Sequence, residues 1–159
     1  MKTMYKQVEI EISRGDIAAQ EDIDAVVNAA NAELAVGGGV AGAIHRTAGP
    51  QLYDECKPLA PIQPGEAVIT KAYKLPNQYV IHCLGPVYGR DKPEDKLLAN
   101  CYRNALKLAE EHKISSIAFP ALSTGAFGYP IKEATEITFN TILAEVPQLN
   151  HLQKLKFVL

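Results

Sequence analysis

The alternation of apolar and polar positions near the start of the chain predicts a half-buried β-strand. Over residues 6–13, Val8, Ile10 and Ile12 point to one face, and the positions between them are polar or acidic. A strand with one solvated face is typical of positions near the edge of a sheet. Shorter apolar runs predict further strands at residues 24–28, 66–73, 78–84, 115–119 and 154–159.

Helical spacing of apolar residues alternates with these strands. Leu98, Cys101 and Ala105 belong to the apolar face of a long helix predicted over residues 94–112. Further helices are predicted at residues 39–48, 51–57 and 131–144. This alternation indicates an α/β layered sheet with parallel strands, and a ligand is expected beyond the carboxyl ends of those strands.

A strand that leads into glycine and then into a helix is the most informative stretch. The strand at residues 24–28 ends at Asn28 and is followed by Asn31, by three glycines at 37–39, and by a helix from about Val40. Such a junction leaves backbone N–H groups free to bind anions, phosphate above all. The asparagine amides suit sugar hydroxyls, so the stretch indicates a ligand with phosphate and ribose.

The same glycines have two other interpretations. Glycine also occurs where a tight turn needs a positive φ, and asparagine forms turns through its own local hydrogen bonds. Residues 37–42 also fit the dinucleotide pattern G-x-G-x-x-G. That match is weak, because in a dinucleotide-binding unit the glycines follow the strand directly, whereas here residues 29–36 intervene.

A second glycine-bearing loop favours the phosphate interpretation. Residues 120–130 follow the strand at 115–119 and end at Pro130, where a helix is predicted to begin. In an open α/β sheet both loops lie at the same edge, so two rows of N–H groups form a cleft suited to a diphosphate. Ser123 and Thr124 add hydroxyl donors. Phe127, between two glycines, either stacks on a sugar or base or packs over its own loop.

Asp16 is a further candidate. It lies in a turn after the first strand, within Arg14-Gly15-Asp16-Ile17. Its carboxylate either caps the short helical piece predicted at residues 17–20 or accepts a hydrogen bond from a ligand. The chain contains no G-K-[ST] phosphate loop, and no catalytic nucleophile is evident.

Composition narrows the classes of protein. The chain has 159 residues, 47% hydrophobic and 21% charged, which is typical of one globular domain over residues 1–159. Its net charge is −2 and it has no basic block, so nucleic-acid binding is disfavoured. Lys154 and Lys156 are interpreted as the solvated face of the last strand.

Cysteine and histidine predict no metal site. The three cysteines are widely spaced and lack a C-x-x-C pair, and the four histidines do not pair at ligand spacing. No signal peptide is expected from the polar residues 1–6. No apolar run reaches the length of a membrane helix, so we expect a cytoplasmic protein that does not contact membranes.

Three segments in this order resemble the macrodomain family: VVNAAN, GGGVAGAIHRTAGP and ALSTGAFGYP, together with Gly15-Asp16-Ile17. The resemblance covers essentially the whole chain. It implies a three-layer α/β/α sandwich with a mixed central sheet, and binding of ADP-ribose or of an ADP-ribosylated protein without cofactor or metal. It leaves open whether the chain only binds or also slowly hydrolyses ADP-ribosyl esters or O-acetyl-ADP-ribose.

The resemblance also implies roles for individual residues. Asp16 would accept the adenine amino group, with the backbone of Ile17 beside it. Asn31 would meet the distal ribose and, in an enzyme, hold water together with the ligand's own diphosphate. Phe127 would lie against the distal ribose. The residues whose backbone would line the diphosphate are Gly38, Gly39 and Val40 on one side and Ser123, Thr124, Gly125, Ala126 and Phe127 on the other.

The chain departs from the family pattern at two places. Hydrolases with a similar IHRTAGP segment carry an acidic residue in the glycine loop, where this chain has Ala41. The family also continues past its last strand into an aromatic that covers adenine, whereas this sequence stops at Leu159. We therefore expect slow chemistry and a domain truncated on its adenine side.

Two other functions remain as alternatives. One is a nicotinamide-dinucleotide oxidoreductase, which would use the G-x-G-x-x-G pattern at residues 37–42. It lacks a substrate domain and an acidic residue at the end of a second strand. The other is a poly(ADP-ribose) or RNA interaction module, which the missing basic face disfavours.

Overall fold

One seven-stranded sheet organises the computed structural model, which describes residues 1–159. The strands are β1 (Lys2–Tyr5), β2 (Val8–Ser13), β3 (Ala25–Ala29), β4 (Ala67–Lys71), β5 (Tyr79–Cys83), β6 (Ser116–Phe119) and β7 (Lys154–Val158). The helices are α1 (Gly39–Ala48), α2 (Pro50–Cys56), α3 (Glu94–Glu111) and α4 (Ile131–Glu145). None of these helices is long and apolar enough to span a membrane.

The strand order is β1-β2-β7-β6-β3-β5-β4. The five inner strands run parallel to one another, and β1 and β4 are antiparallel strands at the two edges. The carboxyl ends of β2, β7, β6, β3 and β5 therefore meet along one side of the sheet, which we call the carboxyl edge. The mixed sheet between two helical layers confirms the predicted α/β/α sandwich.

The apolar side chains of the parallel strands alternate between two cores. Val27 and Ile81 face the cluster that contains α3 and α4, whereas Val26 and Val80 face the cluster that contains α1 and α2. Strands with apolar residues on both faces are typical of parallel sheets covered by helices on each side. This double burial fixes the register of β3 beside β5, and so fixes where the loops after them begin.

Strand β1 was missed by the sequence analysis. Three of its four residues are exposed, so it has no buried apolar face that could produce a pattern. It pairs with Val8–Ser13 through backbone hydrogen bonds, and Lys6 makes the turn between them with a φ of 54°. The first predicted strand thus begins at Val8 and lies one position inside the edge.

Lys154 and Lys156 are half-buried ion-pair partners, and their interpretation as a solvated face was wrong. Lys154 Nζ lies 2.9 Å from an Asp22 carboxylate oxygen and 3.3 Å from one of Glu11. Lys156 Nζ lies 4.0 Å from Glu11, its register partner on β2. The charges of β2 and β7 therefore compensate one another on this sheet face.

The sequence indicated that the Asn28 side chain contacts a ligand. In the structure it lies instead in a buried polar layer beneath α1 and α2. Its Nδ2 donates to Nδ1 of His82, at 3.0 Å. Nδ1 is therefore unprotonated, and Nε2 carries the proton 2.9 Å from Thr70 Oγ1. Burial, followed by the neighbouring His45, lowers the pKa of His82 to about 3.

His45 completes this layer from α1. Its ring centroid lies 6.4 Å from that of His82, and neither ring nitrogen has a hydrogen-bond partner. Burial lowers the pKa of His45 as well. Both imidazoles stay neutral in the folded protein, whereas in the unfolded chain they bind protons as the pH falls. The free energy of unfolding therefore decreases at low pH.

We predict that the free energy of unfolding falls as the pH drops below the ordinary histidine pKa of 6.5. His82 alone should account for about 2 kcal/mol between pH 6.5 and pH 5, at about 1.4 kcal/mol per pH unit. Urea unfolding at pH 7, 6 and 5 measures this loss. His82→Gln should flatten the dependence, whereas the control His112→Gln, at an exposed position, should leave it unchanged. A dependence that His82→Gln does not alter would contradict the assignment.

Candidate functional site

A cleft of about 490 Å³ lies at the carboxyl edge, between the loops that follow β3 and β6. The loop after β5 contributes Gly85 to its wall. The residues that line it are Ala29, Ala30, Asn31, Gly37, Gly38, Gly39, Val40, Ala41, Gly85, Ala121, Leu122, Ser123, Gly125, Ala126 and Phe127. The two glycine loops predicted from sequence are thus brought together in one site.

Asn31 shapes the loop after β3. Its Oδ1 accepts a hydrogen bond from the Ala35 backbone N–H at 2.9 Å, and its Nδ2 donates to the Ala35 carbonyl at 3.0 Å. Leu34 lies between Asn31 and Ala35, in the segment that these two hydrogen bonds close. It is fully buried and has a φ of 56°. Asn31 therefore closes the loop and keeps one amide N–H and one acceptor lone pair for the cleft.

The glycines at 37–39 bring bare backbone to the cleft. Gly38 is the N-cap of α1 and makes no side-chain capping bond, and Gly39 has a φ of 53°. A Cβ added at Gly38 or Gly39 would meet no protein atom within 4 Å, so both face open space. The first N–H groups of α1 have no partner inside the helix, and the helix dipole adds positive potential there.

Gly42 holds this loop against α1. A Cβ at this position would lie 2.5 Å from the carbonyl oxygen of Gly37, so only glycine allows the backbone to fold back so closely. Ala41, in the first turn of the helix, is buried at 5% exposure and lines the cleft. An uncharged methyl group therefore occupies this position in the wall of the cleft.

The loop after β6 presents a second row of donors. None of the backbone N–H groups of residues 123–127 donates a hydrogen bond within the chain. The loop is closed instead by its ends, since Gly128 N–H donates to Gly125 and Tyr129 N–H donates to Ser123 at 2.8 Å. Ser123 has a φ of 66°. Five successive N–H groups are thus free for an anion.

Ser123 and Thr124 point to opposite sides of this loop. Ser123 Oγ is buried beside Gly85 without a hydrogen-bond partner, and Ser123 lines the cleft. Thr124 Oγ1 donates to the Ala121 carbonyl at 3.1 Å and lines a separate apolar cavity of about 180 Å³ next to α4. Of the two residues, only Ser123 lines the cleft, and its hydroxyl is buried against Gly85, so neither hydroxyl expected at the ligand is open to the cleft.

Phe127 is half-buried. It packs against the apolar cluster of α1 and α2 and also lines the cleft. The structure shows packing of the side chain, and its stacking on a sugar or base stays a prediction. The ring is fixed by packing on one side and offers a surface to a ligand on the other.

Asp16 and Ile17 lie away from the wall of the cleft, after β2. Asp16 Oδ1 accepts from the Ala18 N–H at 2.9 Å and caps the 3₁₀ helix Ile17–Ala19, while the residue itself is exposed. The side chain of Ile17 is buried in the core. Because β7 and β6 separate β2 from β3, Asp16 stands at one end of the carboxyl edge.

The cleft has no ionisable lining. None of its lining residues is acidic, basic, histidine, cysteine or tyrosine. An anion would therefore be held by backbone N–H groups and by the α1 dipole, not by lysine or arginine. Gly85 was missed by the sequence analysis, although a glycine two residues after a parallel strand was a signal for it.

Comparison with known proteins identifies the family. The Macro domain family model matches residues 27–138. An O-acetyl-ADP-ribose deacetylase of Klebsiella pneumoniae is 49% identical over 156 residues, which are 95% of this chain and 89% of that protein. The Oceanobacillus iheyensis macrodomain, solved with ADP, superposes with a TM-score of 0.94 at 41% identity, over 99% of this chain and 86% of that one.

A further solved relative is the Trypanosoma brucei macrodomain in complex with ADP-ribose. It gives a TM-score of 0.85 at 41% identity, over 94% of this chain and 62% of that one. This chain belongs to the Macro domain family.

Proposed function

We propose that the chain binds ADP-ribose, free or attached to a protein, in the cleft between the two glycine loops. The observation that carries the proposal is the pair of facing rows of free N–H groups, at the start of α1 and along residues 123–127. Two rows suit a diphosphate better than a single phosphate, because each phosphate group can meet one row. The ligands named for the solved relatives, ADP and ADP-ribose, agree with this chemistry.

The sheet order supports an orientation for the ligand. With the diphosphate between the loops, one end reaches toward Asp16 beyond β2 and the other toward Asn31, Phe127 and Gly85. We assign adenine to the Asp16 end, where the second carboxylate oxygen can accept from an amino group. The distal ribose then lies against Asn31 and Phe127. The backbone of Gly38, Gly39, Val40 and residues 123–127 would hold the diphosphate.

We further propose slow hydrolysis of an ester at the distal ribose. Water adds to the ester carbonyl, the bond to the ribose oxygen breaks, and ADP-ribose and a carboxylic acid are released. The name of the Klebsiella pneumoniae relative supports this reaction for O-acetyl-ADP-ribose. No lining residue can act as a general base, so Asn31 and the ligand's diphosphate would have to position the water.

Neither alternative function is favoured by an observation. The G-x-G-x-x-G pattern at 37–42 does not follow its strand directly, and the cleft has no basic lining for RNA. The cytoplasmic location, the absence of cofactor and metal, and the extent of the domain over residues 1–159 stay predictions from the sequence.

Calorimetry with ADP-ribose, AMP and NAD tests the binding proposal. ADP-ribose should bind at least about tenfold more tightly than AMP, a difference of about 1.4 kcal/mol, because AMP lacks the second phosphate and the distal ribose. NAD should bind more weakly than ADP-ribose, since nicotinamide extends from the ribose that Asn31 and Phe127 enclose. Equal affinity for AMP or NAD would rule out the proposed ligand.

Substitution of Gly38 tests the role of bare backbone. Its φ of −90° suits any residue, and an added Cβ meets no protein atom, so Gly38→Val should fold normally. The side chain would occupy the path of the diphosphate and lower ADP-ribose affinity by more than about tenfold. Gly38→Ala should lower the affinity less, because the alanine side chain is smaller than that of valine. Unchanged affinity in the folded Gly38→Val variant would refute the phosphate site.

Substitution of Ala41 tests the chemistry. Ala41→Asp places a carboxylate in the first turn of α1, where the dipole favours it by about 0.3–1 kcal/mol but the diphosphate opposes it. We expect faster release of ADP-ribose from a glutamate-modified protein and modestly weaker binding of ADP-ribose. General-base help is worth about 10²–10⁴ in rate, and the isosteric control Ala41→Asn should lack it. Fast release by the unmodified chain would show that position 41 does not limit the reaction.

A further inference from the structure

The ladder of hydrogen bonds between β3 and β5 stops at the wall of the cleft. Its last rung joins the Ala30 N–H to the Cys83 carbonyl at 2.9 Å. In a parallel pair the donors alternate between the two strands, so the next rung would join the Gly85 N–H to the Ala30 carbonyl. Neither of these two atoms has a hydrogen-bond partner within the chain. We call this unbonded donor and acceptor the open rung.

The open rung is buried and belongs to the cleft. Ala30 is 4% exposed, Gly85 is buried, and both residues line the cleft. Buried backbone donors and acceptors without a partner destabilise a protein, and nearly all of them meet one. The register of β3 and β5 points the N–H of one residue toward the carbonyl of the other. One small polar group between them therefore satisfies both.

The pairing of one donor with one acceptor determines which chemistry fits between them. A phosphate oxygen would accept from the Gly85 N–H but would be repelled by the Ala30 carbonyl oxygen. An apolar group would leave both backbone groups unpaired. A hydroxyl group accepts from the N–H and donates to the carbonyl through the same oxygen atom. The open rung is therefore suited to a hydroxyl.

The sheet order places the open rung at the end of the cleft assigned to the distal ribose. Strands β3 and β5 are separated by β7 and β6 from β2, and Asp16 stands at the end of β2. Asn31 follows Ala30 directly and keeps one amide N–H and one acceptor lone pair for the cleft. Two neighbouring hydroxyls, as a ribose carries them, thus find two neighbouring partners.

We propose that the open rung binds a hydroxyl of the distal ribose, directly or through one water, and makes the chain prefer ADP-ribose to ADP. The inference rests on the proposed function, which places that ribose against Asn31 and Phe127. It adds the Gly85 N–H and the Ala30 carbonyl to the groups that recognise the sugar. Both are backbone groups, so the end of the sheet itself contacts the ligand.

Replacement of the Gly85 amide by an ester tests the donor. Gly85→glycolic acid, introduced during translation, exchanges only the N–H for an oxygen atom, whereas a Cβ at this position would collide with Ser123 Oγ. The ester also weakens the Leu84 carbonyl, which accepts from the Gly65 N–H at 2.8 Å. The matched control is therefore Gly65→glycolic acid, which removes that bond at a position outside the cleft lining.

Calorimetry measures the affinity of each form and of the unmodified chain for ADP-ribose and for ADP. Gly85→glycolic acid should weaken ADP-ribose binding about three- to tenfold, as expected for one hydrogen bond, and change ADP binding by less than about twofold. Gly65→glycolic acid should change neither. Unchanged ADP-ribose affinity in the Gly85 ester, or an equal loss for ADP, would overturn this inference alone. Failure of the unmodified chain to bind either ligand would overturn the proposed function instead.

A crystal structure of the unmodified chain with ADP-ribose gives a second measurement, which does not depend on folding of the ester. A ribose hydroxyl, or a water hydrogen-bonded to one, should lie within about 3.2 Å of both the Gly85 nitrogen and the Ala30 oxygen. An empty gap between these two atoms, or a water there without contact to the ribose, would contradict the inference.

Discussion

Free backbone N–H groups at the ends of parallel strands are the constraint on which the rest of the structure depends. A sheet satisfies the donors of its strands, but the N–H groups at the start of α1 and those of residues 123–127 have no acceptor within the chain. Buried donors without acceptors destabilise a protein, so these must stay at an open surface or meet a ligand. The two apolar cores hold the strands in register. This register places the N–H donors of the loops after β3 and β6 on the two sides of one cleft.

A neutral cleft has consequences for recognition. Lysine and arginine bind anions at a distance and through flexible side chains, whereas backbone donors act over short range and in fixed directions. The wall made by residues 37–41 and 123–127 therefore discriminates by the shape and spacing of the phosphates more than by their charge. The absence of an ionisable lining also separates binding from catalysis, because the backbone amides that would hold the diphosphate cannot act as a general base toward water at neutral pH.

The sequence predicted most of the fold and the two loops, because both depend on local patterns. Apolar periodicity located α3 and α4 nearly to the residue, and glycine marked the loops after β3 and β6. Features that depend on partners far along the chain were missed. Asn28 is buried because His82 lies beside it across the sheet, and Lys154 is paired because the chain returns next to Glu11 and Asp22. Strand β1 was missed because its exposed residues carry no pattern.

The two hydrogen bonds between Asn31 and Ala35 concern the question of whether Asn31 distinguishes a binding domain from a hydrolase. Only a side chain with both a donor and an acceptor can form it, and it sets the path of the backbone that leads to Gly37. A module that merely held its ligand would need this amide as much as one that cleaved it. Asparagine at position 31 therefore has a structural role in this loop that is separate from any role in turnover.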